Sequence, residues 1–153
     1  MHPSSSMPDE RRIEQAARGL LGGIGRLSRT LFQVGDFGLP RSSATALDVL
    51  EGGPHRVTEL TAHTGLTQPR VSVGLRELEE RGLVERKRCA KDRRATEAHI
   101  TPLGRELLER ARQRMAAALL AALRENADDA EHTVTVARDA VRTLVNACEP
   151  EVT

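Results

Sequence analysis

Between Arg86 and Arg94 the chain sets six cations, Arg86, Lys87, Arg88, Lys91, Arg93 and Arg94, against a single carboxylate, Asp92. Nine residues with that balance suit the neutralisation of a row of phosphates better than acid–base catalysis. Taken alone, the stripe reads equally as a solvated charged hairpin. Cys89 lies inside it, and Arg86, Arg88 and Lys91 would favour its thiolate, making Cys89 a candidate redox-responsive residue. Other chemistry is thin. His2, His55, His63, His99 and His132 lack ligand spacing, and Cys89 with His99 across a hairpin is a weak zinc pair, so no metal site is expected. No Gly-rich phosphate loop, nucleophile elbow or paired-carboxylate arrangement appears, and the glycines of GLLGGIG follow no strand. The expectation is a protein without enzymatic activity and without a cofactor.

The elements that must position these residues come from a chain of 153 residues, enough for one domain with a modest extension. A hydrophobic fraction of 39% with 29% charged residues is a globular composition. Phe32 and Phe37 are the only aromatics, which argues against a single-strand nucleic-acid binder that stacks bases on rings. No apolar run reaches the eighteen residues of a membrane span, and the first residues do not read as a secretory signal. Two cysteines do not make a disulfide framework, so a reducing cytoplasm is the expected setting. Net charge is only +1, because seven acids against Arg138 and Arg142 from Glu125 onward offset the basic stripe.

Residues 1–9, rich in Pro and Ser, read as a disordered tail. Residues 10–38 read as an N-terminal helix, with Ile13, Ala17, Leu20, Ile24, Leu27, Leu31 and Val34 in alternating steps of four and three. Gly19, Gly22, Gly23 and Gly25 fall inside it, allowing either close helix approach or a kink. Residues 39–101 read as three short helices and a hairpin. Ser42 or Ser43 caps the first helix, which stops at Gly52-Gly53-Pro54. Thr58 caps the second, ending at Gly65, and Thr67 caps the third, which runs from Gln68 to Arg81. Two short helices joined by a tight Gly-containing turn make a helix-turn-helix. LVERKR and ATEAHIT then flank a charged middle, as in a β-hairpin with an arginine-rich tip. Residues 102–149 read as two helices separated near Asn126–Asp129, with Cys148 as a small core residue on the apolar stripe of the last. The fold class expected is mainly α with a small β-wing: a winged helix-turn-helix domain flanked by N- and C-terminal dimerisation helices.

On a helical wheel, Val71, Leu75 and Leu78 form one buried side of the Gln68–Arg81 helix. Pro69, Ser72, Val73, Arg76 and Glu80 lie opposite, with Gln68 and Arg70 on the flanks. That face is short-chained and polar near its start, as a helix entering a major groove requires. Gln pairs with adenine, Arg with guanine, and small apolar groups meet a thymine methyl. Thr67 offers a cap, a phosphate contact or both. Arg93 and Arg94 at a turn tip are long enough for a narrow minor groove, Asp92 would orient an arginine there, and Lys91, Arg88 and Lys87 would neutralise phosphates.

The span Val57–Thr101, above all LEERGLVER and KDRRA followed by IT-x-x-G, resembles the winged helix-turn-helix of the MarR family of bacterial transcriptional regulators. The resemblance implies that the helix from Gln68 reads the major groove of double-stranded DNA. It also implies that Arg94, as the arginine of a D-x-R wing, probes the minor groove while Asp92 braces the wing. A homodimer, a pseudo-palindromic operator, repression, and release by a small anionic or phenolic effector are further implications. The peroxide-sensing arrangement of some relatives, an N-terminal cysteine with tyrosines, has no counterpart here. From the residues themselves, three apolar stripes (13–34, 104–123 and 130–148) exceed what a winged helix can cover, which favours a dimer. Phe32, Phe37 and Arg41 are candidate effector-binding residues. The competing reading is a helical dimeric adaptor whose winged helix binds protein.

Overall fold

The computed structural model describes residues 6–149, with side chains from residue 8. Helix α1 spans Ser6–Gly35, α2 Arg41–Glu51, α3 Val57–Thr64 and α4 Gln68–Glu80. Strands β1 (Val84–Arg88) and β2 (Thr96–Ile100) follow, then α5 (Pro102–Asn126) and α6 (Ala130–Cys148). Mainly α with one two-stranded antiparallel sheet, this is the winged helix-turn-helix class expected. The chain divides into two compact units, the first reaching Met115 and the second starting at Ala116, within α5. Among the described residues, no helix is long and apolar enough to cross a membrane.

The first unit folds because each short helix has one apolar edge and all the edges meet. Leu47 and Leu50 of α2, Leu60 of α3 and Val71, Leu75 and Leu78 of α4 are almost fully buried, joined by Leu83, Val84, Ala98 and Leu108. Each such Leu contributes about 1.5–3 kcal/mol by leaving water. Register follows from the same need. Val84 pairs with Ile100 and Arg86 with Ala98, so all four share one face; Val84 and Ala98 are buried there, while Arg86 stays exposed. An isolated bridge between His55 and Ala98 lays a third short backbone segment against β2. Gly82, at φ 73°, turns the chain from α4 into β1, and Gly65, at φ 70°, ends α3.

Helix positions agree with the periodicity, but several caps do not. α1 begins at Ser6, inside the stretch expected to be a tail, whereas residues 1–5 lie outside the described residues, as does His2. Its four glycines leave it one continuous α-helix. α2 is capped by Pro40, not Ser42 or Ser43, and Ser43 is buried where α2 meets Gly74 of α4. Arg56 caps α3 instead of Thr58, with Glu59 reaching back to accept from the Arg56 N–H at 3.0 Å. That bond is the main reason the Glu59 carboxyl titrates below its usual value. Thr67 does occupy the α4 cap position, but its hydroxyl makes no capping bond.

Three arginines fasten α5 within the first unit. Arg112 pairs with Asp48 and, at 2.7 Å, with Glu51 of α2. These contacts, Glu51 first, raise its pKa further. Arg105 donates to the Glu51 carbonyl at 3.5 Å, and Arg114 donates to the carbonyls of Gly35 and Asp36. In the second unit, Asp129 caps α6 by accepting from the His132 N–H at 2.9 Å. No residue of α6 is buried. Cys148, expected in a core, is exposed.

Candidate nucleic-acid interface

Burial sorts the faces of α4. Val71, Leu75 and Leu78 pack inward, while Thr67, Gln68, Pro69, Arg70, Val73 and Arg76 are exposed and Ser72 is half-buried. Val73 keeps 65% of its surface in water, an unusual position for a branched aliphatic on an otherwise polar face. Because its hydroxyl does no capping, Thr67 has it free for a phosphate beside the amide-rich start of the helix.

The wing tip is a closed turn. The Cys89 N–H donates to the Ala95 carbonyl at 2.9 Å and the Ala95 N–H to the Asp92 carbonyl at 3.0 Å. Asp92 Oδ1 accepts from the Arg94 backbone N–H at 3.1 Å. Asp92 therefore braces the turn through the backbone, not by orienting a guanidinium as the sequence suggested. Lys91, Arg93 and Arg94 are left exposed.

The pairing pattern separates two classes of cation. Arg86 meets Glu79 at 3.4 Å and Lys87 meets Glu85 at 3.7 Å, which ties the wing strand to α4 and to itself. Among the described residues, Arg70, Arg76, Arg88, Lys91, Arg93 and Arg94 have neither a carboxylate nor a hydrogen-bond acceptor for their side chains. Cations left unpaired beside a groove-sized helix are available to a polyanion.

Cys89 is buried at the base of the tip, and its neighbour was not foreseen. Arg56 Nη2 approaches Sγ at 3.5 Å, and this contact, with the N–H groups of Lys91 and Asp92, lowers the thiol pKa. The side chains of Arg86, Arg88 and Lys91, expected to do this, are not among the leading causes. Arg56 precedes α3 by one residue and lies 33 positions from Cys89, a separation that local sequence patterns do not register.

Phe32, Phe37 and Arg41 do come together. The two rings stack with centroids 4.9 Å apart, Arg41 lies 5.8 Å over Phe32, and its guanidinium donates to Ser28 Oγ.

The sequence model of the MarR family matches residues 37–95, the span from the α1–α2 loop to the wing tip. That span is similar to the MarR family. Solved structures share the fold. Sco3205 from Streptomyces coelicolor, a MarR family transcriptional regulator in complex with DNA, is 23% identical with a TM-score of 0.60, over 92% of this chain and 90% of that one. RV1404 from Mycobacterium tuberculosis is 19% identical with a TM-score of 0.66, over 99% and 100%. CouR from Rhodococcus jostii RHA1, bound to p-coumaroyl-CoA, is 24% identical with a TM-score of 0.58, over 84% and 92%. No protein of curated function matches the sequence.

Proposed function

We propose that this MarR-family regulator is a homodimeric, sequence-specific repressor that binds a pseudo-palindromic operator in double-stranded DNA and is released by a small molecule. The set of unpaired cations on α4 and the wing tip carries the reading. Gln68, Pro69, Arg70, Ser72, Val73 and Arg76 meet base edges in the major groove, with Thr67 on a phosphate. Arg93 and Arg94 enter the minor groove, Lys91 neutralises the backbone, and Asp92 holds the turn. The DNA complex of Sco3205 and the acyl-CoA complex of CouR, both on this fold, support DNA and a small-molecule effector as partners.

Exposed apolar residues support the dimer in each unit separately. Ile13, Leu20, Leu21, Ile24 and Leu27 line α1, and Val134, Val136, Val141, Leu144 and Val145 line α6. Faces of this kind mark association surfaces. Residues 10–38 and 102–149 accordingly act as dimerisation helices around a DNA-binding domain at 39–101. Two recognition helices then read half-sites about 34 Å, one helical turn, apart. Selection of bound sequences from random DNA tests the reading, with an inverted repeat as the expected product. Gln68→Ala or Arg70→Ala should relax preference at one position of each half-site by roughly 1–3 kcal/mol. An equal loss on every sequence would remove that residue from base reading, and no saturable binding at two salt concentrations would favour the protein-binding adaptor.

The Arg56–Cys89 contact favours an oxidant-responsive form of the same regulator. A peroxide would convert the Cys89 thiolate to a sulfenic acid with release of hydroxide, displacing Arg56 at the root of the wing. With Cys148 replaced by Ser, ultraviolet titration of the thiolate should give a midpoint below that of a free thiol, and Arg56→Ala should raise it. If Cys89→Ser leaves the peroxide sensitivity of operator binding unchanged, Cys89 is structural only.

A further inference from the structure

The outward face of α4 carries hydrocarbon where a merely solvated helix would not place it. Val71, Leu75 and Leu78 are buried, and at about 100° per residue Val73 stands directly opposite them, 65% exposed. Pro69, one turn earlier on the same face, is exposed as well. These two are the only purely hydrocarbon side chains there, the others on the face and its flanks being Gln68, Arg70, Ser72, Arg76 and Glu80. For a helix position that only has to stay in water, alanine is a better former than a β-branched residue, so local stability does not account for a valine.

The neighbours of Val73 narrow what this ridge can meet. Arg70 and Arg76 lie three residues to either side, and among the described residues neither has a carboxylate partner. The acids of α4, Glu77, Glu79 and Glu80, all fall in its last four residues. Phosphates repel that end and attract the other, so Gln68–Arg76 is the stretch that can approach a duplex, with Val73 well inside it. Ser72 and Gly74 beside it are short, which lets the helix backbone come near a groove floor. A protein surface apolar enough to cover Val73 would bury both arginines without neutralising them. In a major groove the phosphates take the cations, and the one apolar group on the base edges is the C5 methyl of thymine.

We propose that Val73, with Pro69 beside it, reads the C5 methyl of one thymine in each half-site. The inference rests on the proposed function and names the base group that α4 recognises there. Hydrogen bonds from Gln68 or Arg70 cannot supply this discrimination, because thymine and uracil offer the same O4 acceptor. Cytosine presents a bare C5–H at that place and 5-methylcytosine restores the methyl. The same contact therefore makes binding sensitive to cytosine methylation at this one position.

Titration of the full chain with its selected operator, each thymine replaced in turn by uracil, removes only the methyl and tests the contact. One thymine of each half-site should lose about fourfold in affinity, the worth of one buried methyl group, and roughly fifteenfold when both half-sites are changed. Val73→Ala, at an exposed position, should keep the thermal stability of the parent and bind the thymine and uracil operators alike. With cytosine at that position, C5 methylation should recover about fourfold in the parent and nothing in Val73→Ala. Uracil tolerated at every thymine, or an equal uracil penalty in the parent and in Val73→Ala, overturns the inference and leaves the proposed function standing. A uracil penalty without recovery by 5-methylcytosine overturns the methylation sensitivity and confines the contact to thymine. No saturable binding to any duplex overturns the proposed function and this inference together.

Discussion

Gly104→Ala should cost this protein about 3 kcal/mol of stability, toward the upper end for overpacking a well-filled site. A Cβ at Gly104 would collide with the Leu83 carbonyl oxygen and come within 2.8 Å of Ile100 Cγ1. The carbonyl cannot retreat, because it already accepts the Thr101 N–H at 3.0 Å. Thr101 is fixed in turn, its Oγ donating to the Gly82 carbonyl and accepting the Gly104 N–H. Three close contacts therefore lock the first turn of α5 onto the root of the wing. Thermal unfolding should show Tm lower by roughly 6–12 °C. A change under about 2 °C would mean that α5 can slide away from β1, and that its seating on the winged domain is loose.

Arg94→Ala should weaken operator binding about tenfold to a hundredfold, and twice per dimer in the proposed assembly. The side chain has no partner within the described residues, while its backbone N–H is held by Asp92, so removing the guanidinium takes away a DNA contact and leaves the turn intact. Lys91→Ala, at a phosphate instead of a groove floor, should act differently, lowering affinity on all sequences and flattening the log–log salt dependence by about 1 per protomer. Titrations at several salt concentrations separate the two. Equal, sequence-independent losses with equal changes of slope would reduce Arg94 to a phosphate contact.

Much of this architecture was legible in the sequence because it follows from periodicity. Val71, Leu75 and Leu78 recur at helical spacing and are buried, and the polar residues opposite them are exposed. The strand edges around the charged tip, and α6 at 130–148, likewise came from alternation and break residues. Caps were less readable. Ser42, Ser43 and Thr58 have capping side chains, but helix starts here are set by Pro40 and by the Arg56–Glu59 bond, so composition pointed two or three residues too late. Contacts across long separations were invisible. Arg56 on Cys89, Arg114 on the Gly35 carbonyl and Arg112 on Asp48 join residues 33, 79 and 64 positions apart. An arginine is ordinary surface in any local window, and only tertiary packing shows which carbonyl, thiol or carboxylate it meets.

The His55–Ala98 bridge gives the wing two mechanical regimes. Its N–H and C=O groups are exchanged in both directions, at 3.2 and 2.8 Å, so the middle of β2 is stitched on both edges. Beyond Arg88 the described ties are the short bonds among Cys89, Asp92, Arg94 and Ala95 and the Arg56 contact to Cys89 Sγ. The tip is thus a small closed turn on a stem paired along both edges. In the operator complex proposed above, tolerance for DNA shape falls to the tip and discrimination among bases to α4, separate pieces of the same forty-residue stretch (roughly 60–100).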